Sequence, residues 1–116
     1  MRDEVLIDGV SVEANWLDER GFQYGDGLFE TIAVKNGQLQ FWSRHIARLL
    51  EGCAALKIPV PDMPLLEEEA LSICEDTDNA VLKIIITRGR GGRGYKPDIK
   101  DGPTRILSLY SWPDYP

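Results

Sequence analysis

Three groups of residues in this sequence have the types and spacing to do chemistry. The most conspicuous is Arg88-Gly89-Arg90-Gly91-Gly92-Arg93-Gly94-Tyr95. Arginines present forked donors that match carboxylates, and glycines let the backbone approach a ligand, so the tract suits an anion site. The same composition suits an RNA-binding Arg-Gly-Gly segment. It equally suits a solvated loop between two strands, and spacing alone does not choose. The second group is His45, Arg48 and Gly52, at helical spacing. A histidine and an arginine on one helix face are commonly a polar pair or solvated surface, but a glycine one turn on invites close approach by another element. The third is Lys83, inside an apolar run. Desolvation lowers a lysine pKa and makes a Schiff-base nucleophile; a lysine that snorkels at a sheet edge or pairs with a carboxylate does neither. Tyr24-Gly25-Asp26-Gly27 reads as a turn, with Asp26 bonding its own backbone. One histidine and two widely separated cysteines, Cys53 and Cys74, supply no metal-ligand cluster.

The elements that must position these groups follow from local signals. Val5-Leu6-Ile7, Asp8-Gly9 and Val10-Ser11-Val12 read as a small hairpin with an Asp-Gly turn. Leu28 to Val34 reads as a strand, and Asn36-Gly37 predicts that Gln38 to Phe41 turns back on it. Ser43 is the expected N-cap of a helix running to about Leu56. Ile46, Leu49, Leu50 and Cys53 form its core stripe, and His45, Arg48 and Gly52 are expected opposite that stripe. A second helix is expected from about Pro64 to Glu75, with Leu66, Ala70 and Ile73 inward and Glu67, Glu68 and Glu69 near its positive end. Val81 to Thr87 reads as a buried strand, Arg105 to Tyr110 as another, and 112–116 as a linker. Strands, then two helices, then more strands imply an α+β fold, an antiparallel sheet with two helices packed on one face.

Composition narrows the function classes. The 116 residues are enough for one domain with its own core. Thirteen Lys+Arg against 19 Asp+Glu give a net charge of −6, which argues against nucleic-acid and anionic-membrane partners. No apolar run reaches the length of a membrane span, and Met1-Arg2-Asp3-Glu4 lacks the layout of a signal peptide. A chain with two cysteines and a full complement of core residues is expected to be cytoplasmic, with reduced thiols.

Three segments together resemble a known family. Arg20-Gly21-Phe22-Gln23-Tyr24-Gly25-Asp26-Gly27-Leu28-Phe29-Glu30-Thr31 is similar to the opening motif of the fold-type-IV pyridoxal-phosphate enzymes. His45-Ile46-Ala47-Arg48-Leu49 resembles their helix motif, and Lys83 to Tyr95 resembles the loop of the aminodeoxychorismate lyases among them. The match runs in order over nearly the whole chain. Branched-chain and D-amino-acid aminotransferases share the family. The D-amino-acid enzymes tend to carry Ser-Pro-Arg and a histidine where this chain has Gly91-Gly92-Arg93 and Tyr95.

The resemblance carries expectations. It implies an N-terminal small domain over 1–111 and the start of an interdomain linker at 112–116. The Schiff-base lysine and most of the phosphate donors belong to a second domain that this chain lacks, so no catalytic residue is expected here. Arg48 is implied to bind the phosphate of pyridoxal 5'-phosphate, and Phe29, Arg93 and Tyr95 to contact the substrate. Lys83 matches a structural strand position. The implied activity is that of a carbon-oxygen lyase, with an aminotransferase as the alternative and a non-catalytic or RNA-binding module as a third reading. The implied partners are a small-molecule substrate and a second copy of the chain.

Overall fold

Two hairpins seeded by Asp8-Gly9 and Asn36-Gly37 organise the sheet. The computed structural model describes residues 4–7, 9–11, 27–88 and 103–112. Gly9 (φ 83) and Asn36-Gly37 (φ 52 and 74) take the left-handed backbone that tight hairpin turns demand. The first hairpin joins β1 (Glu4–Ile7) to β2 (Val10–Ser11), and the second joins β3 (Gly27–Lys35) to β4 (Gln38–Leu39). β5 (Ala80–Thr87) and β6 (Thr104–Ser111) complete a sheet of order β2-β1-β6-β5-β3-β4, with every pairing antiparallel.

Alternation decides the faces. Leu28, Ile32 and Val34 of β3 share one face with Leu82, Ile84 and Ile86 of β5 and Leu107 and Leu109 of β6. Helices α1 (Trp42–Leu56) and α2 (Met63–Ile73) bury Leu49, Cys53, Leu66, Ala70 and Ile73 in that same cluster. α1 packs on β3 and α2 on β6. The α+β architecture with both helices on one face is therefore as the sequence implies.

The helix ends depart from expectation in part. α1 begins at Trp42, and its cap is Phe41 in the left-handed conformation (φ 57, ψ 36), with no side-chain bond. Ser43 lies inside the first turn and is not the cap. The chain leaves β4 through that left-handed residue, and the turn geometry rather than a cap side chain starts the helix. At the other end Lys57 is left-handed, with Ile58 N–H bonding the Cys53 carbonyl at 2.8 Å and Lys57 N–H the Ala54 carbonyl at 3.2 Å. This is a Schellman closure with lysine where glycine is usual. α2 is capped by Asp62, whose carboxylate accepts from Leu65 N–H at 3.1 Å.

Candidate functional site

Glu30 occupies the helix-facing side of β3 between Leu28 and Ile32, and only 4% of it is exposed. A carboxylate in such a place must find donors or give up its charge. α1 supplies them. His45 and Arg48 are three residues apart, so they rise from neighbouring turns of one helix side. Arg48 Nε donates to Glu30 Oε2 at 2.9 Å and Arg48 Nη2 to Oε1 at 2.8 Å. His45 Nδ1 lies 2.7 Å from Oε1, and since an ionised carboxylate only accepts, Nδ1 is the donor.

The three groups are unequally buried, which shapes what they can do. The side chains of Glu30 and His45 are 5% and 18% exposed, whereas that of Arg48 is 69% exposed. Burial opposes ionisation of Glu30, but the hydrogen bonds and charges of Arg48 and His45 outweigh it and hold the carboxyl below its ordinary value of 4.5. Glu30 in turn stabilises the charged guanidinium of Arg48 and raises its pKa. A guanidinium has five N–H donors, and Glu30 takes the Nε edge and one Nη2 hydrogen. The outer Nη1/Nη2 edge has no hydrogen-bond partner among the described residues. Arg48 lines an open hollow of about 400 Å³ together with Phe41, Arg44 and His45. The guanidinium of Arg44 stacks 5.4 Å from the Phe41 ring centre. Two arginines and an oriented histidine beside a solvent-open hollow suit a compact oxyanion such as a phosphate ester.

The structure corrects the placement of this face. His45, Arg48 and Gly52 are not opposite the core stripe; they flank it and meet β3. At about 100° per residue, Gly52 lies only about 60° around the helix from Leu49. A Cβ on Gly52 would stand 3.2 Å from Leu28 Cδ1, the close approach that the glycine suggested. Phe29, by alternation, points to the other face of the sheet and is 61% exposed. The structure thus does not bring Phe29 and Arg48 together; they lie on opposite sides of β3. Among the described residues, Gly27 to Ile32 have a strand neighbour only on the β5 side.

Lys83 sits in the central strand β5, between Thr31 of β3 and Ser108 of β6. It neither reaches a sheet edge nor pairs with a carboxylate among the described residues; its Nζ lies 4.8 Å from the Phe29 ring centre. The tract from Gly89 to Tyr95, with Arg93 and Tyr95, lies outside the described residues, as does Tyr24 to Asp26. Arg88, the first arginine of the tract, does something else. Its Nη1 and Nη2 bond the carbonyls of Lys57 and Leu56 at 2.9 and 2.8 Å, tying the end of β5 to the C-terminus of α1.

Sequence reasoning missed Glu30 as an individual residue. The available signal was a carboxylate at an inward position of an alternating strand, which must have a partner. It also missed Arg105, whose Nε and Nη2 bond Glu69 at 2.7 and 2.9 Å and bury that helix carboxylate. Burial raises the thiol of Cys74 to about 11 and that of Cys53 above its usual value, so neither is a nucleophile.

Comparison with known proteins gives the geometry a context. The family model for amino-transferase class IV matches residues 27–116. The chain is 43% identical to an aminodeoxychorismate lyase of Vibrio harveyi over 97 residues, which is 84% of this chain and 36% of that protein. It is 31% identical to a D-alanine aminotransferase of Bacillus licheniformis, across 95% of this chain and 41% of that protein. Among solved structures, 4-amino-4-deoxychorismate lyase from Pseudomonas aeruginosa superimposes with a TM-score of 0.86 at 45% identity, over 97% of this chain and 41% of that one. The chain therefore spans well under half the length of the proteins it matches.

Proposed function

Because this chain belongs to the class IV amino-transferase family, whose members are pyridoxal-phosphate enzymes, we propose that it is the N-terminal domain of a 4-amino-4-deoxychorismate lyase. The full-length protein would break the carbon-oxygen bond to the enolpyruvyl group, release pyruvate and leave 4-aminobenzoate, a precursor in folate synthesis. One observation carries the choice within the family. Identity is 43% and 45% to two lyases but 31% to the D-alanine aminotransferase. A D-amino-acid or branched-chain aminotransferase is the second reading, supported by relatives of those two kinds at 31% and 33% identity. A relative from Mycobacterium tuberculosis, 33% identical over 73 residues, is named for both lyase and D-amino-acid transaminase activities. The acidic net charge of −6 speaks against the RNA-binding alternative.

Pyridoxal 5'-phosphate, when bound, supplies an electron sink for the carbanion. The residues of this chain bind and orient. Arg48 would grip the phosphate with its outer N–H edge, and the anion chemistry of its hollow fits that group. Phe29, Arg93 and Tyr95 would hold the substrate, with Arg93 pairing a carboxylate. Arg48 and Phe29 would then serve the site from the two faces of β3. No proton transfer is assigned to this chain. We take residues 1–111 as the small domain and 112–116 as the start of a linker, in a cytoplasmic homodimer.

A substrate comparison tests the reading. The full-length protein is supplied with 4-amino-4-deoxychorismate, or with D-alanine and 2-oxoglutarate, and kcat/KM is measured for each. The proposal expects the first value to exceed the second by at least an order of magnitude, on the scale of specificity that one well-matched polar pocket provides. The reverse order would assign the chain to an aminotransferase.

A further inference from the structure

The described charged groups at the α1–β3 contact are asymmetric in a way that ordinary surface ion pairs are not. An exposed arginine gains little from a surface carboxylate. Here the carboxylate is buried and the arginine is not: Glu30 is 5% and Arg48 69% exposed at the side chain. Burying a carboxylate costs free energy unless its lone pairs are filled. Glu30 fills them with Arg48 Nε and Nη2 on one side and His45 Nδ1 on the other. The side-on fork fixes the plane of the guanidinium, and the histidine fixes the carboxylate. What remains for a ligand in the hollow that Arg48 lines is its outer N–H edge, which Glu30 leaves unused.

We propose that Glu30, braced by His45, is a positioning residue that holds the guanidinium of Arg48 in its phosphate-binding orientation. The proposal rests on the reading of Arg48 as the phosphate grip. Two effects of Glu30 on an incoming anion oppose each other. Its charge partly cancels that of Arg48 and weakens attraction. Its fork removes the rotamer freedom that a loose arginine would lose on binding. The hollow is open to water, where charge effects are screened, whereas the orientation is not. Preorganisation therefore wins, and removing the negative charge of Glu30 weakens phosphate binding.

The test uses the full-length protein labelled with ¹⁵N-arginine, and titration of the apo form with pyridoxal phosphate, each variant being first melted so that all are compared where folded. Wild type should show a slowly exchanging, ordered Nε–H signal from Arg48 without any ligand, and Glu30→Gln should lose it. Glu30→Gln should weaken cofactor binding roughly two- to tenfold, the scale of ordering one long side chain. In an Arg48→Ala background the same change should cost nothing further. Glu30→Asp, which keeps the charge but withdraws the carboxylate by one methylene, should also loosen the signal and serves if Glu30→Gln does not fold. An averaged Arg48 signal in wild type overturns the proposal, as does unchanged or tighter binding by Glu30→Gln, or an equal loss in the Arg48→Ala background. Failure of the phosphate reading looks different: Arg48→Ala then binds the cofactor as wild type does while the ordered Arg48 signal still depends on Glu30.

Discussion

At the scale of single residues, Glu30 sets how the domain responds to acid. Its folded-state pKa is depressed below 4.5, with burial opposing the shift and the Arg48 and His45 bonds exceeding it. A depressed carboxylate contributes stability that is fully present above its unfolded pKa and is lost as pH falls through its folded one. Thermal melts between pH 7 and pH 3 should therefore show a stability loss below about pH 4.5 that Glu30→Gln flattens; parallel acid limbs in the two proteins would remove Glu30 from the account. Arg48 calls for a conservative probe, because truncation leaves Glu30 buried beside His45 alone. Arg48→Lys keeps the charge and loses the fork. Cofactor titration of that variant should show binding weaker by about ten- to a hundredfold, the range for charge-assisted hydrogen bonds. The apo melt should move little. Equal affinities would make Arg48 a structural residue.

At the scale of elements, β3 is the part on which the site depends, and Gly27 opens it. A Cβ there would stand 2.8 Å from the Ile86 carbonyl oxygen and 3.1 Å from Thr87 Cγ2. Backbone cannot swing aside, so Gly27→Ala should cost about 1–3 kcal/mol, the scale of local overpacking. Urea unfolding measures it, and an unchanged midpoint would show that the strand end gives way freely. The elements themselves were legible because their signals are local: Asp8-Gly9 and Asn36-Gly37 at turns, the 3.6-residue apolar period in α1 and α2, and the apolar run of β5. The start of α1 was not, because Phe41 takes a left-handed conformation that a hairpin exit imposes and no side chain announces. The partners of Glu30, Arg88 and Arg105 were not legible either. Each joins segments at least 15 residues apart, and pairing at that range is decided by which strands lie under which helix. Spacing singled out Arg48 beside His45 and Gly52, the resemblance to a family motif supplied its implied role, and its placement beside Glu30 came only from the phase of α1 over β3.

At the scale of the whole molecule, the chain covers the smaller part of the lyases it resembles. It spans 36% of the Vibrio harveyi lyase and 41% of the Pseudomonas aeruginosa one. Among the described residues, β3 has an exposed arginine of α1 on one face and an exposed aromatic ring on the other. A lyase and an aminotransferase differ in a way that one measurement exposes. An aminotransferase leaves the amino group on its cofactor and stops after one half-reaction unless a keto acid collects it; a lyase needs no acceptor. The measurement is the time course of pyruvate and 4-aminobenzoate from 4-amino-4-deoxychorismate, with the full-length holoenzyme and no keto acid added. For a lyase, both products should rise together, in equal amounts and through many turnovers. Absence of 4-aminobenzoate, with substrate consumed to no more than one equivalent per site until a keto acid is supplied, would contradict the lyase reading.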